Sequence, residues 1–433
     1  MKKVFRVLAV FLLIQPYFIF SQEPPQPAAQ PTQPDNPAGD NKDGEDEKIA
    51  GSYLTGDWAG IRQNLVDKGI ALEFVLTNET VYNDRGGIAK GYVTLGNLDT
   101  TADIDFEKLA GISGLQLFLY GLGGYGMAPT ELVGDVQATS NIETGMDYYK
   151  LYEAWVQYSL LDDMIAVLAG LHDLNSEFYA NDPAGLFLNS SMGIGTEIAQ
   201  TGENGPSIFP IAAPAVRLMV KPTDTVYVSA AAYNALAGDP ATPAKTAADF
   251  KFENGFLTIA EAGIYSEGDY KFALGGWMYT DKVDGNKNDG AKVDADGNPI
   301  KIQETGYGAY LLADKTFGDI SVFFRAGMAN PEAFEFSYNI MEGITISGNL
   351  WGRPDDALGI GASTIITSTV HKSEEKAAGT NLDPHETSIE VTYLIQATPW
   401  VSIQPDFQYV LNPGVDPELK DTLASALRVS LSF

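Results

Sequence analysis

Residues 426–433 close the chain with ALRVSLSF. Leu427, Val429, Leu431 and Phe433 alternate with Ala426, Arg428, Ser430 and Ser432. Successive side chains of a strand point to opposite faces, so this octet makes one apolar wall and one wet wall. A strand that stops on a terminal aromatic, with no loop beyond it, has an open edge that must pair. Pairing it with the first strand of the same sheet closes a barrel. With lipid outside and water inside, a single alternating pattern satisfies both walls. The octet would also serve as the last strand of a soluble sandwich, so the rest of the chain decides.

The deciding feature is rhythm. From Ala71 onward about sixteen strand candidates follow one another: 71–83, 94–107, 114–124, 148–161, 164–173, 211–221, 225–234, 258–267, 269–281, 302–313, 317–328, 343–352, 357–370, 386–398, 400–410 and 422–433. Long connections (84–93, 125–147, 174–210, 235–257, 282–301, 329–342, 371–385, 411–421) take turns with short ones such as Asp162-Asp163, Gly268 and Pro399. An even number of strands, with short turns at one rim and long loops at the other, is the wiring of an outer-membrane barrel. The strands agree with it. In LGNLDTTADIDF, Leu98, Ala102, Ile104 and Phe106 face one way, while Asn97, Asp99, Thr101, Asp103 and Asp105 face the other. Three carboxylates on one face would be costly in a packed core and cost little in a water-filled lumen. In the 388–411 stretch, Ile389, Val391, Tyr393, Ile395, Val401, Ile403, Phe407 and Tyr409 form the lipid set, and Glu390, Gln396, Gln404, Asp406 and Gln408 the lumen set. Tyr148, Tyr149, Tyr279, Trp351, Trp400 and Tyr409, near strand ends, suit interfacial girdles. The fold class expected is all-β, one transmembrane antiparallel barrel over 71–433.

The remainder of the chain fits export. Lys2, Lys3 and Arg6 precede a mostly apolar run, 7–20, and Ser21 is small enough to precede a cut. Residues 1–21 therefore read as a signal peptide. Residues 22–48, rich in Pro, Gln and then acid, read as a disordered tether. In 49–70 the stretch DWAGIRQNLVDKG predicts a short helix, with Asp57 as cap, Ile61 and Leu65 on one face and Gly69 as stop. Removing 1–21 takes the formal net charge from −30 to about −33. Such a surface repels nucleic acid and favours cations or neutral solutes. Cysteine is absent, so no disulfide is available. Beyond the leader no apolar run reaches the roughly 18 residues of a spanning helix, and only a barrel would then place the exported chain in a membrane.

TGDWAGIRQNLVDKGIAL, GNLDTTADIDFEKLAG, LYEAWVQYSL, DPAGLFLNSS, AAPAVRLMVKPTD, QPDFQYVLNPG and the final LSF resemble the carbohydrate-selective porins of the OprB family, over about residues 54–433. The resemblance implies a sixteen-stranded outer-membrane porin that admits monosaccharides and related small solutes by diffusion. It also implies that the third long loop, 174–210, folds inward and narrows the channel. In that loop Phe178, Tyr179, Leu186, Phe187 and Leu188 suit packing on the inner wall, with Glu177, Asn181, Asp182 and Asn189 facing the pore.

Sugar recognition needs hydroxyl partners and a flat apolar platform; carboxylates and guanidiniums supply charge-assisted bonds. The alternation places Arg217, Arg325, Arg428, Asp99, Asp103, Asp105, Glu153 and Trp155 on the lumen wall. With Glu177, Asp182 and Asn189 they form the expected constriction. No metal site is expected: in 283–299, Asp284, Asn286 and Asn288 have calcium-loop spacing, but Asp289 stands where a glycine belongs and Ala295 where a glutamate does. No cofactor is expected either. His172, His371 and His385 lie in no catalytic motif, which points away from an enzyme. The expected partners are small sugars and outer-membrane lipid; monomer and homotrimer are both open. Two other readings compete, a general cation-preferring porin without a sugar site and a barrel whose acidic loops bind other surfaces.

Overall fold

The computed structural model describes residues 51–239, 241–247, 254–293 and 299–433. The expected leader and tether lie outside the described residues. Sixteen strands follow in order: β1 (Ile70–Arg85), β2 (Gly91–Asp105), β3 (Leu115–Gly126), β4 (Tyr148–Leu160), β5 (Ile165–His172), β6 (Ala213–Thr223), β7 (Val226–Asn234), β8 (Phe256–Ser266), β9 (Tyr270–Val293), β10 (Pro299–Phe317), β11 (Ile320–Ala329), β12 (Phe336–Ser347), β13 (Ala357–Thr367), β14 (His385–Thr398), β15 (Val401–Leu411) and β16 (Thr422–Ser432). Each pairs antiparallel with its neighbours, and β16 pairs with β1 to close the barrel. Thr80 lies opposite Leu427 and Val75 opposite Ser432, so the open edge of ALRVSLSF is consumed by the first strand.

The two walls follow the period-2 pattern. Leu98, Ile389, Val391, Phe407 and Leu427 stand exposed on the outside, while Glu390, Gln404, Asp406 and Gln408 point inward. One rim carries the short connections 161–164, 224–225, 267–269, 318–319 and 399–400; the other carries 127–147, 173–212, 235–255 and 368–384. Of the aromatic residues assigned to girdles, Tyr149 and Trp351 are exposed outside. Tyr279 is buried inside, and Tyr148 and Trp400 are not on the lipid wall either: Tyr148 packs with the inner cluster at Leu122 and Tyr152, and Trp400 lines the lumen.

Two expected loops are strand instead. Residues 282–301 belong largely to β9 and β10, with Asp284 opposite Gln303 and Asn288 opposite Lys301. This hairpin is polar on both faces, so it has no hydrophobic period to reveal it. Asn286 spends its amide on Pro331 O and Phe334 O, so the calcium-like spacing belongs to a ladder. β12 begins at Phe336 rather than 343, behind a register shift between Phe336 and Tyr338 that interrupts the alternation.

A short helix, Ile61–Asp67, precedes the barrel. Its N-cap is Gly60, but Asp57 Oδ1 still accepts from Gln63 N at 2.9 Å. The buried face is not the expected one, because Ile61 is 58% exposed and Arg62 is buried. Arg62 donates to Leu72 O at 3.1 Å and Phe433 O at 2.6 Å, bridging the first and last strands.

Candidate functional site

The interior is shaped by two loops that dock on the wall. In loop 173–212, Phe178 and Tyr179 are fully buried in a cluster with Trp277, Tyr279 and Tyr310. Phe187 and Met192 pack on Phe323 and Met341. The Phe187 ring lies over Gly359 and Gly361, where a Cβ would approach it to 2.9 and 3.0 Å. Inward-facing polar groups take the loop's backbone. Glu390 accepts from Leu188 N at 2.6 Å and Asn189 N at 3.1 Å, and Glu261 from Tyr179 N at 3.0 Å. Loop 127–147 docks in the same way: Glu386 accepts from Val136 N at 2.9 Å and Gln137 N at 3.0 Å, and Gln408 Nε2 donates to Thr139 O at 2.7 Å. Glu390, Asp406 and Gln408, which the pattern places in water, are therefore buried beneath loop backbone.

Three carboxyls in these loops are strongly perturbed. Burial acts to raise Glu177, but its hydrogen bond and charge contacts with His172 and Arg217 outweigh this and hold it at about 2. Burial raises Glu197 to about 7, against the hydrogen bond from Tyr179 and the charge of Arg325. Burial, reinforced by the neighbouring Asp135, raises Glu143 to about 8.

The space left is a cavity of about 2030 Å³. Strands β7–β14 line it only at their short-turn ends, because the loops cover the rest of their inner faces. At mid-height the bare wall belongs to β1–β4 and β16. On β2–β4 the register sets Asp103, Phe118 and Trp155 in one row and Thr101, Tyr120 and Glu153 in the next. Phe118 and Trp155 stack with centroids 5.0 Å apart and planes 26° apart. Tyr120 donates to Asp99 Oδ1 at 2.6 Å, and Gln116 Nε2 to both oxygens of Asp103 at 2.9 and 2.8 Å. A bulge after Leu151 turns both Tyr152 and Glu153 inward. The cavity lining holds fourteen Asp and Glu side chains and three basic ones, Lys221, Lys271 and Arg428.

The expected constriction residues divide on these coordinates. Asp99, Asp103, Glu153, Trp155, Glu177, Asp182 and Arg428 line the cavity. Asp105 does not: at the end of β2 it caps the helix Phe106–Ala110, accepting from Glu107 N and Lys108 N. Asn189 is fully buried and pinned to Ser388 and Gln408, and Asn181 donates to Asp314 at 3.0 Å. Arg217 points inward but is 3% exposed, covered by its ion pair with Glu177. Arg325 is 0% exposed. It donates to Tyr179 O at 3.1 Å, Met192 O at 3.3 Å, Gly193 O at 2.7 Å and Ser191 O, which makes it a clasp for the loop and not a pore charge. Sequence reasoning missed Phe118 and Tyr120, although the period-2 pattern of QLFLY places both with Gln116 on the inner face. It also missed Tyr152, whose direction depends on the bulge.

Residues 89–433 match the family described as carbohydrate-selective porin, OprB family. The chain belongs to that family. This OprB-family porin is 21% identical over 428 residues to Porin B of Pseudomonas aeruginosa, covering 88% of this chain and 91% of that protein. Its fold resembles OprB of Pseudomonas putida in a high-pH structure, with a TM-score of 0.77, 19% identity, and coverage of 89% of this chain and 99% of that one. The low-pH structure of the same protein matches with a TM-score of 0.55 and 16% identity, over 88% and 98% of the two chains. The channel DcaP of Acinetobacter baumannii matches at 0.53 with 10% identity, over 84% and 97%. Family and closed barrel make this porin a channel protein of the bacterial outer membrane.

Proposed function

We propose that this porin passes monosaccharides and similar small solutes by diffusion, and that selection occurs where loop 173–212 presses the passage against β2–β4. The observation carrying this reading is the wall itself. A stacked pair, Phe118 and Trp155, lies in register with Asp103; Trp155 donates to Glu153, and Tyr120, one inward row on, donates to Asp99. The aromatic faces suit the C–H face of a sugar ring, and the carboxylates accept from its hydroxyls. Glu177 and Asp182 of the loop face the same space. No step consumes energy; the gradient of solute drives passage.

The excess of carboxylates along the lining supports a second reading, a general cation-preferring porin. Swelling of proteoliposomes separates the two. The sugar reading expects glucose to enter faster than an uncharged polyol of like mass, and Trp155→Ala to narrow that difference. Equal rates for the two solutes in both proteins would leave only the general porin. A protein that gives neither swelling nor conductance would point instead to a binding barrel.

A further inference from the structure

The wall that receives the sugar carries more carboxyl groups than a neutral sugar can use. Glu153 is 6% exposed; its Oε2 accepts from Trp155 Nε1 at 3.3 Å and Asp173 N at 3.0 Å. Its Oε1 takes no hydrogen bond from any described residue, although the side chain lines the cavity. Asp99 and Asp103 lie four residues apart on the inner face of β2, either side of Thr101, and their hydrogen-bond partners, Tyr120, Asn97 and Gln116, are all uncharged. Of the three basic side chains in the lining, Lys221 lies at the short-turn end of β6 and the other two are held by other groups. Lys271 donates to Ala180 O at 3.0 Å, and Arg428 is held by Glu79 and Asn141 at 2.6 and 2.7 Å.

Resting on the sugar-channel reading above, we propose that the preferred solutes are protonated amino sugars. A hexose laid on Phe118 and Trp155 takes carboxylate oxygens out of water and offers them only neutral hydroxyls. An aminohexose in the same pose offers an ammonium, whose hydrogen bonds to carboxylate are charge-assisted and stronger. The rings beside those carboxylates also attract a cation over their faces. The ring contact and the charge contact act together, so an amine without a sugar ring gains only part of the benefit. A sugar acid meets like charge on the β2–β4 wall and is disfavoured.

The test is current block in planar bilayers by the full-length porin, near pH 6, where an amine of this kind is mainly charged. Glucosamine should half-block at a concentration about tenfold below glucose, a gap of about 1.4 kcal/mol. N-acetylglucosamine, which has no charge, should behave like glucose, and ethanolamine should block weakly. Asp99→Asn and Asp103→Asn, each half-buried in the lumen lining, should bring glucosamine toward glucose. Equal block by glucosamine and glucose would overturn the proposal while leaving a sugar channel in place. Block by ethanolamine as strong as by glucosamine would also overturn it, since charge alone would then suffice. A conducting porin blocked by no sugar would instead remove the sugar-channel reading on which the proposal rests.

Discussion

Arg325 occupies a position that alternation assigns to the lumen, and no water reaches it. Its direction was legible, but its burial was not, since a period-2 pattern says which face a side chain takes and nothing about what lands on that face. The same holds for Glu390, covered by a loop whose contacts span about 200 residues of sequence. Replacing Arg325 with Ala leaves four loop carbonyls without their donor, at a cost of roughly 3 kcal/mol to docking. The expected result is a larger single-channel conductance and faster proteolysis in 173–212; Arg325→Lys restores little, because one ammonium does not span the four acceptors. Gly327 makes a related demand. A Cβ there would overlap the Tyr179 hydroxyl and the Glu197 carboxylate, so Gly327→Ala should shift the same loop outward. On the outer wall, Glu342 is exposed between Ile340 and Ile344, across from Phe324 and Ala362. A carboxylate on a lipid-facing wall is costly, so Glu342→Leu should raise the unfolding free energy in lipid by about 1–2 kcal/mol. A decrease would show that this position does not face hydrocarbon.

At the scale of elements, the strands whose outer faces meet lipid were legible because hydrocarbon enforces one apolar wall. The protruding part of the β9–β10 hairpin was not, because water meets both of its faces and imposes no period. The loops carry the pH response. Glu143 and Glu197 keep their protons more tightly when docked than when released. Their contribution to docking is complete below the ordinary carboxyl value of 4.5, and is lost as pH rises from there through about 7 for Glu197 and about 8 for Glu143. Glu177, held at about 2, acts in the opposite sense: its contribution is present above 4.5 and is lost only as pH falls toward 2. Of these three groups it is the raised pair that changes charge between pH 5 and 9, so channel noise and mean conductance should increase with pH. The double variant Glu143→Gln, Glu197→Gln should flatten that rise; an unchanged pH profile would exclude these two groups as its source. The helix before β1 has its own task. Arg62 joins Leu72 O to Phe433 O, and Arg62→Ala should lower the temperature at which the barrel loses its folded gel mobility, by an amount corresponding to about 2 kcal/mol.

For the whole molecule, closure of β16 on β1 converts one alternating text into two environments, and the two docked loops convert a wide barrel into a passage with one bare wall. The barrel was readable from the rhythm of turns and loops. The bare wall was not, since it is defined by where the loops fail to reach. The acidic balance of the chain, −30 overall, reappears as fourteen Asp and Glu side chains lining the cavity against three Lys and Arg. The porin should therefore be cation-selective under a salt gradient, with the selectivity reduced at high ionic strength as screening shortens the field. The most direct measurement of the central claim is single-channel current through the wild-type porin and Trp155→Ala, recorded as glucose is titrated into one chamber. The account predicts stepwise openings that glucose reduces reversibly in the wild type and to a smaller extent in the variant. Openings indifferent to glucose in both proteins would contradict it.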